Sequence, residues 1–201
     1  MKTIFLCCSL ILISLGFLLY WKKNEKDKEK MTHAIARLET VNKALANNLM
    51  IQSKVSSIPL DLNKLIVKDT SGKQASFITF LNSPKKIVFR IAESYCMECV
   101  KSQFSFMKQI SGKIGKQNVA ILASFSNMKM LKIFLQENNI EVDAYNIVPE
   151  AAPVKLAIEQ LYSPYYFKAD KSTNGISNVF LAEKALPDLT QAYCDEVTSK
   201  F

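Results

Sequence analysis

Cys96 and Cys99 stand with two residues between them in Tyr95-Cys96-Met97-Glu98-Cys99. Thiols at that spacing support three readings: a reversible disulfide, half of a zinc site, or two buried small hydrophobes with no chemistry. A four-ligand zinc site needs two more cysteines or histidines. Outside the apolar N-terminal run the chain offers only Cys194 and its single histidine, His33, both far away in sequence, so no metal site is expected. The same shortage removes histidine-based triads and most hydrolase chemistry with them. Structural core cysteines fit poorly, because Tyr95, Met97 and Glu98 do not make an apolar core pattern. Thiol redox chemistry is the reading left, and it needs no cofactor.

That chemistry depends on where the pair sits. Lys86 to Ile91, KIVFRI, is apolar and β-rich and reads as a strand, and Val100, Phe104, Met107 and Ile110 then recur on one helical face. Cys96 therefore falls at a predicted helix start, where unsatisfied backbone N–H groups and the positive dipole end favour a thiolate. Cys99 lies within the first turn on nearly the same face, placed to attack a mixed disulfide formed on Cys96. Cys96 is read as the nucleophile and Cys99 as the resolving thiol. Glu98 favours the protonated thiol and reads as a tuning or proton-transfer group, or else as an exposed first-turn carboxylate that the dipole welcomes.

The remaining elements follow from pattern and punctuation. Leu65 to Leu81 reads as two strand runs around Asp69-Thr70-Ser71-Gly72. Val119 to Phe125 reads as a buried strand, Asn127 to Asn138 as a helix capped by Ser126 or Asn127, and a third strand–helix step begins at Val142. A helix near Val154 to Leu161 follows Pro149 and Pro153, then strands at Tyr165 to Lys168 and Ile176 to Leu181, and a last helix from about Leu186 to Val197. Strands alternating with helices, then a closing hairpin and helix, predict a mixed α/β sheet covered by helices on both faces. Cys194, on the last helix, reads as a buried small hydrophobe.

KIVFRIAESYCMECVKSQFSFMKQI resembles the strand, CxxC and helix of the thioredoxin-like redoxins, and the hairpin before it resembles the one in membrane-tethered redoxins of the bacterial cell envelope. The resemblance spans about Leu60 to Phe201. It implies a thioredoxin-like fold, exchange of disulfides with protein substrates, and a redox donor or acceptor protein. It also implies a cis-proline opposite the disulfide: Ser163-Pro164 before YYFKAD matches that position, with Ser163, Pro164 and Tyr95 as substrate contacts. The Trp-Cys-Gly-Pro-Cys of the general reductase is absent, which leaves the redox direction open. Peroxiredoxins share the fold but carry a threonine where this chain has Glu93, which counts against a thiol peroxidase. Copper-delivery relatives need a histidine that this region lacks. A non-catalytic thioredoxin-fold binding module is the alternative of a different class.

The net charge is +8 and 49% of residues are hydrophobic. The lysines are dispersed without interleaved aromatics, so no nucleic-acid partner is expected. Ile4 to Trp21 carries no charge and, at about 1.5 Å per helical residue, just reaches across a hydrocarbon core. Ser14 and Gly16 have the spacing of a signal-peptidase site, but Phe17-Leu18-Leu19 continue the apolar run, which favours an uncleaved anchor. The expected organisation is a transmembrane anchor over 1–21, a charged spacer and stalk helix over 22–58, and the thioredoxin-like domain over 59–201. Met31, Ile35, Leu38, Asn42, Leu45 and Leu49 form the stalk's stripe. It reads either as a weak parallel dimer with Asn42 at a core position or, with fewer than three clean heptads, as a helix lying on its own domain. Lys22, Lys23, Lys26, Lys28 and Lys30 after the run argue for a cytoplasmic domain. An anchored disulfide-exchange protein meets persistent disulfides mainly in an oxidising compartment, which argues for an inner-membrane, single-pass protein with its domain in the periplasm. The second argument is preferred.

Overall fold

Helix α1 (Lys2–Ser57) takes in the apolar run, the charged tract and the spaced stripe without a break, as a stretch free of proline allows. The computed structural model describes residues 2–57, 60–148 and 157–201, with side chains described for 14–54, 60–148 and 158–201. The chain divides into two compact units, residues 1–45 and 46–201. Among the described residues no helix is long and apolar enough to cross a membrane. Most of the Ile4–Trp21 run, with Cys7 and Cys8, lies outside the described side chains. Met31, Ile35, Leu38 and Leu45 of the first unit are exposed.

In the second unit, α1 meets the sheet through a face other than the expected stripe. Leu49 is exposed, whereas Asn48 and Ile51 are buried. The Asn48 carboxamide accepts the Leu181 N–H at 2.7 Å and donates to the Leu181 carbonyl at 3.5 Å. It thereby stands in for a neighbouring strand at a sheet edge.

Strands β1 (Ile66–Asp69) and β2 (Gln74–Ser76) form the expected hairpin. The Asp69 carboxylate accepts from the N–H groups of Ser71 and Lys73 at 2.9 Å each, and Gly72 takes the left-handed conformation the turn requires, φ 94°. The second run does not continue as a strand to Leu81. It tightens into a 3₁₀ turn at Phe77–Phe80 that buries Phe77. Then come β3 (Lys85–Ala92), α2 (Met97–Lys101), α3 (Phe104–Ile114), β4 (Val119–Ser124), α4 (Met128–Glu137) and β5 (Asp143–Ile147). Asn127 caps α4, accepting the Met130 N–H. The expected helix over Val154 to Leu161 lies partly outside the described residues, and its described end is a 3₁₀ turn at Ala157–Leu161. The chain closes with β6 (Tyr165–Asp170), β7 (Gly175–Leu181) and α5 (Pro187–Ser199).

The sheet order is β2-β1-β5-β4-β3-β6-β7. β3, β4 and β5 are parallel, whereas β6 runs antiparallel to β3 and β7 antiparallel to β6. The two-residue alternation of β3 sorts the core. Ile87, Phe89 and Ile91 pack with residues of α2, α3, α4 and α5, among them Val100, Phe104, Leu131 and Val197. Val88 packs on the opposite face with Ile51, Leu65, Phe77, Ile158 and Phe167. Each such fully buried side chain contributes about 1.5–3 kcal/mol. Lys86 and Arg90 lie within the same strand and are also buried. Lys86 pairs with Asp143 of β5.

Candidate active site

β3 ends beside β4, with Ala92 opposite Ser124. There the Tyr95 N–H turns back to the Ala92 carbonyl at 3.0 Å and delivers Cys96 to the N-cap of α2. Cys96 and Cys99 are joined in a disulfide with Cα atoms 5.2 Å apart, within the usual range. Cys96 is exposed and Cys99 half-buried. The Cys99 N–H points at Cys96 Sγ, 3.3 Å away, and a thiolate on that sulfur in the reduced form would be stabilised by the same donor. Cys96 is thus the more exposed residue of the pair.

The helix behind the pair differs from the continuous one expected. α2 is five residues long and ends before α3 begins at Phe104. At the break the Gln103 N–H makes a tight bond to the Val100 carbonyl, 3.0 Å, Ser102 Oγ bonds back to the Cys99 carbonyl at 2.8 Å, and the buried Tyr166 hydroxyl donates to the Gln103 carbonyl at 3.2 Å. A dipole over so short a helix is weak, so the local Cys99 N–H is the stronger influence on Cys96. Glu98 is exposed and lies 3.8 Å from Lys184 Nζ, an ion pair worth little in solvent.

Tyr165, the first residue of β6, pairs with Arg90 of β3, so Ser163 and Pro164 fall at the same end of the sheet as Cys96. Pro164 is buried and Ser163 half-buried. The expected cis bond is not found. No cis peptide occurs among the described residues, and Ser163–Pro164 is trans. The chain makes its reversal one step earlier, at Tyr162 with φ 49°, and the Pro164 carbonyl is held by the Ala182 N–H at 3.2 Å.

Beneath this edge lies a polar cluster that sequence reasoning missed. Glu159 accepts from Arg90 Nε at 2.9 Å and Nη2 at 3.0 Å, and from the hydroxyls of Tyr95 and Tyr165 at 2.6 Å each. Arg90 also donates to Ser124 Oγ at 2.9 Å and to the carbonyl of Ile91. Burial opposes the guanidinium's charge most strongly of any single influence, but Glu159, Tyr165 and Tyr95 together outweigh it and hold Arg90 above its ordinary pKa. Burial likewise pushes both tyrosine hydroxyls well above their ordinary range, so they remain protonated donors. Tyr95, expected at the substrate surface, thus has a buried ring and an inward hydroxyl. The signal was a charged residue inside the apolar run KIVFRI, which needs a buried partner. Nothing local named Glu159.

A CxxC that opens the helix after β3, a parallel β-α-β unit on one side of that strand and an antiparallel β-β-α unit on the other make the thioredoxin-like arrangement. Fold and site together define a thioredoxin-like domain bearing a disulfide-bonded CxxC pair. No protein-family model and no curated protein matches the chain. Among solved structures, it is similar to an uncharacterized thioredoxin-like protein from Porphyromonas gingivalis, with 16% identity, TM-score 0.45, and coverage of 68% of this chain and 93% of that one. The thioredoxin domain of a thiol-disulfide oxidoreductase from Bacteroides vulgatus aligns at 12% identity, TM-score 0.45, covering 67% and 99%. A secreted Mycobacterium tuberculosis disulfide oxidoreductase homologous to E. coli DsbE aligns at 12%, TM-score 0.44, covering 66% and 96%.

Cys194 is fully buried on α5. Burial, reinforced by Asp195 and partly offset by Lys113, pushes its thiol up to about 12. In the reduced native protein at about pH 8, iodoacetamide is expected to modify Cys96 first and to leave Cys194 untouched until denaturant is added. Comparable native labelling of Cys194, read by peptide mass spectrometry, contradicts its placement.

Proposed function

We propose that the chain is a membrane-anchored thiol–disulfide oxidoreductase exchanging disulfides with protein substrates through Cys96 and Cys99. The observation that carries the reading is the asymmetry of the pair: an exposed Cys96 sulfur facing a backbone N–H, and a half-buried Cys99 within bonding reach. In the dithiol form the Cys96 thiolate attacks one sulfur of a substrate disulfide, forming a mixed disulfide and releasing a substrate thiolate that takes up a proton. Cys99, losing its proton to solvent, then attacks Cys96 Sγ. The Cys96–Cys99 disulfide forms, the second substrate thiol leaves, and two electrons and two protons have passed to the substrate. The reverse sequence oxidises a substrate dithiol, and a donor or acceptor protein resets the pair.

In this reading Ser163 and Pro164 form the substrate rim across from Cys96, Tyr95 borders it through its backbone, and Glu98 tunes the exposed sulfur. A Cys99→Ala variant, unable to resolve, is expected to accumulate mixed disulfides with envelope proteins on Cys96. Their absence after acid quenching, with the variant folded, contradicts the assignment.

The anchor and location belong to the same proposal. They are supported by the uncharged run from Ile4 to Trp21 and by the need of an exchange protein for persistent disulfides. The domain is placed in the periplasm, with the N-terminus inside. A membrane-impermeant maleimide should label Cys96 and Cys99 in intact, gently reduced cells. Labelling that appears only after lysis would put the domain in the cytoplasm.

A further inference from the structure

Four hydrogen bonds converge on the Glu159 carboxylate, and their donors come from three parts of the chain. Arg90 belongs to β3, Tyr95 immediately precedes Cys96, and Tyr165 immediately follows Pro164. An ionised carboxylate accepts about four hydrogen bonds in all, so these donors fill it. The Arg90 contribution is bidentate, the geometry that fixes orientation as well as distance. Arg90 itself is held in place: it is buried in β3, a strand paired on both sides, and opposes Tyr165 in register. On the nucleophile side Cys96 is exposed and α2 runs for only five residues. One half-buried side chain therefore bridges the loop that presents Cys96 and the loop that presents Ser163 and Pro164.

We propose that Glu159 is a positioning residue for exchange with protein disulfides, holding the Cys96 loop and the Ser163–Pro164 loop at one fixed separation through Tyr95, Tyr165 and Arg90. The inference rests on the thiol–disulfide reading above and goes beyond it in naming the residue that shapes the substrate cleft. A protein disulfide must lie across both loops to present its sulfur to Cys96, whereas a small disulfide needs only Cys96. Loosening the hub therefore penalises the larger substrate more. Glu159 touches no reacting atom, so its loss acts on docking geometry, where small displacements are costly.

The test is single-turnover exchange, in whichever direction the wild-type chain runs, with insulin as the protein partner and glutathione as the small one. Glu159→Gln is expected to lower the second-order rate constant with insulin about tenfold, a clearly larger loss than the one with glutathione. Tyr165→Phe removes one tether without altering charge and is expected to give about a threefold selective loss; combined with Glu159→Gln it should add nothing, because both changes break the same unit. Tyr165→Phe also keeps the test decisive if Glu159→Gln does not fold. Equal losses with both partners, or unchanged insulin exchange in a folded variant, overturn the positioning role. A wild-type chain that exchanges with neither partner overturns the thiol–disulfide reading itself, and the positioning role falls with it.

Discussion

A guanidinium cannot be buried in the middle of a sheet by itself. Arg90 is 3% exposed, and taking its charge out of water is costly unless an anion and enough acceptors meet it. Glu159 supplies the anion, and the carbonyl of Ile91 and the hydroxyl of Ser124 take further N–H groups. Much of the local architecture answers to that requirement. Glu159 meets Arg90 from the 3₁₀ turn Ala157–Leu161, which also buries Ile158. Strand β6 then starts opposite Arg90, which leaves Ser163 and Pro164 at the sheet's edge. Tyr95 reaches the same carboxylate, which leaves Cys96 as the next residue outward.

The chemistry sits where this geometry leaves backbone exposed. Beyond the carboxyl ends of parallel strands a sheet cannot continue its ladder, and ligand sites gather there in open α/β folds. The disulfide lies on that edge, above an interior divided in two. One face of β3 is apolar and packs on helices, and the other mixes apolar side chains with the Lys86–Asp143 and Arg90–Glu159 pairs. A break at Ser102–Gln103 separates the short reactive helix from α3, whose Phe104, Met107 and Ile110 are buried.

Much of this was legible in the sequence because it is written in short-range pattern. The apolar, β-rich run KIVFRI located β3 to within a residue at each end, the apolar spacing after Cys99 located α3, and Asn127 was among the capping residues expected. What escaped depends on partners far apart in the chain. Arg90 and Glu159 are separated by 69 residues, and Asn48 and Leu181 by 133, so no window of sequence contains either pair. The stripe through Leu49 was expected to bury, but the backbone groups at the edge of β7 drew Asn48 and its neighbour Ile51 onto the domain. Ser163–Pro164 was expected to turn as a cis bond; the positive φ of Tyr162, a residue without the usual left-handed preference, does the turning instead.

The central claim is that Cys96 and Cys99 pass reversibly between dithiol and disulfide in the folded protein. Equilibration of the native chain in a series of glutathione buffers, followed by acid quenching, alkylation and mass spectrometry, tests it most directly. The account predicts one cooperative transition in which Cys96 and Cys99 gain their alkyl groups together, at a defined potential, as a two-electron couple requires. Alkylation of the pair that does not change across the buffer series would contradict it.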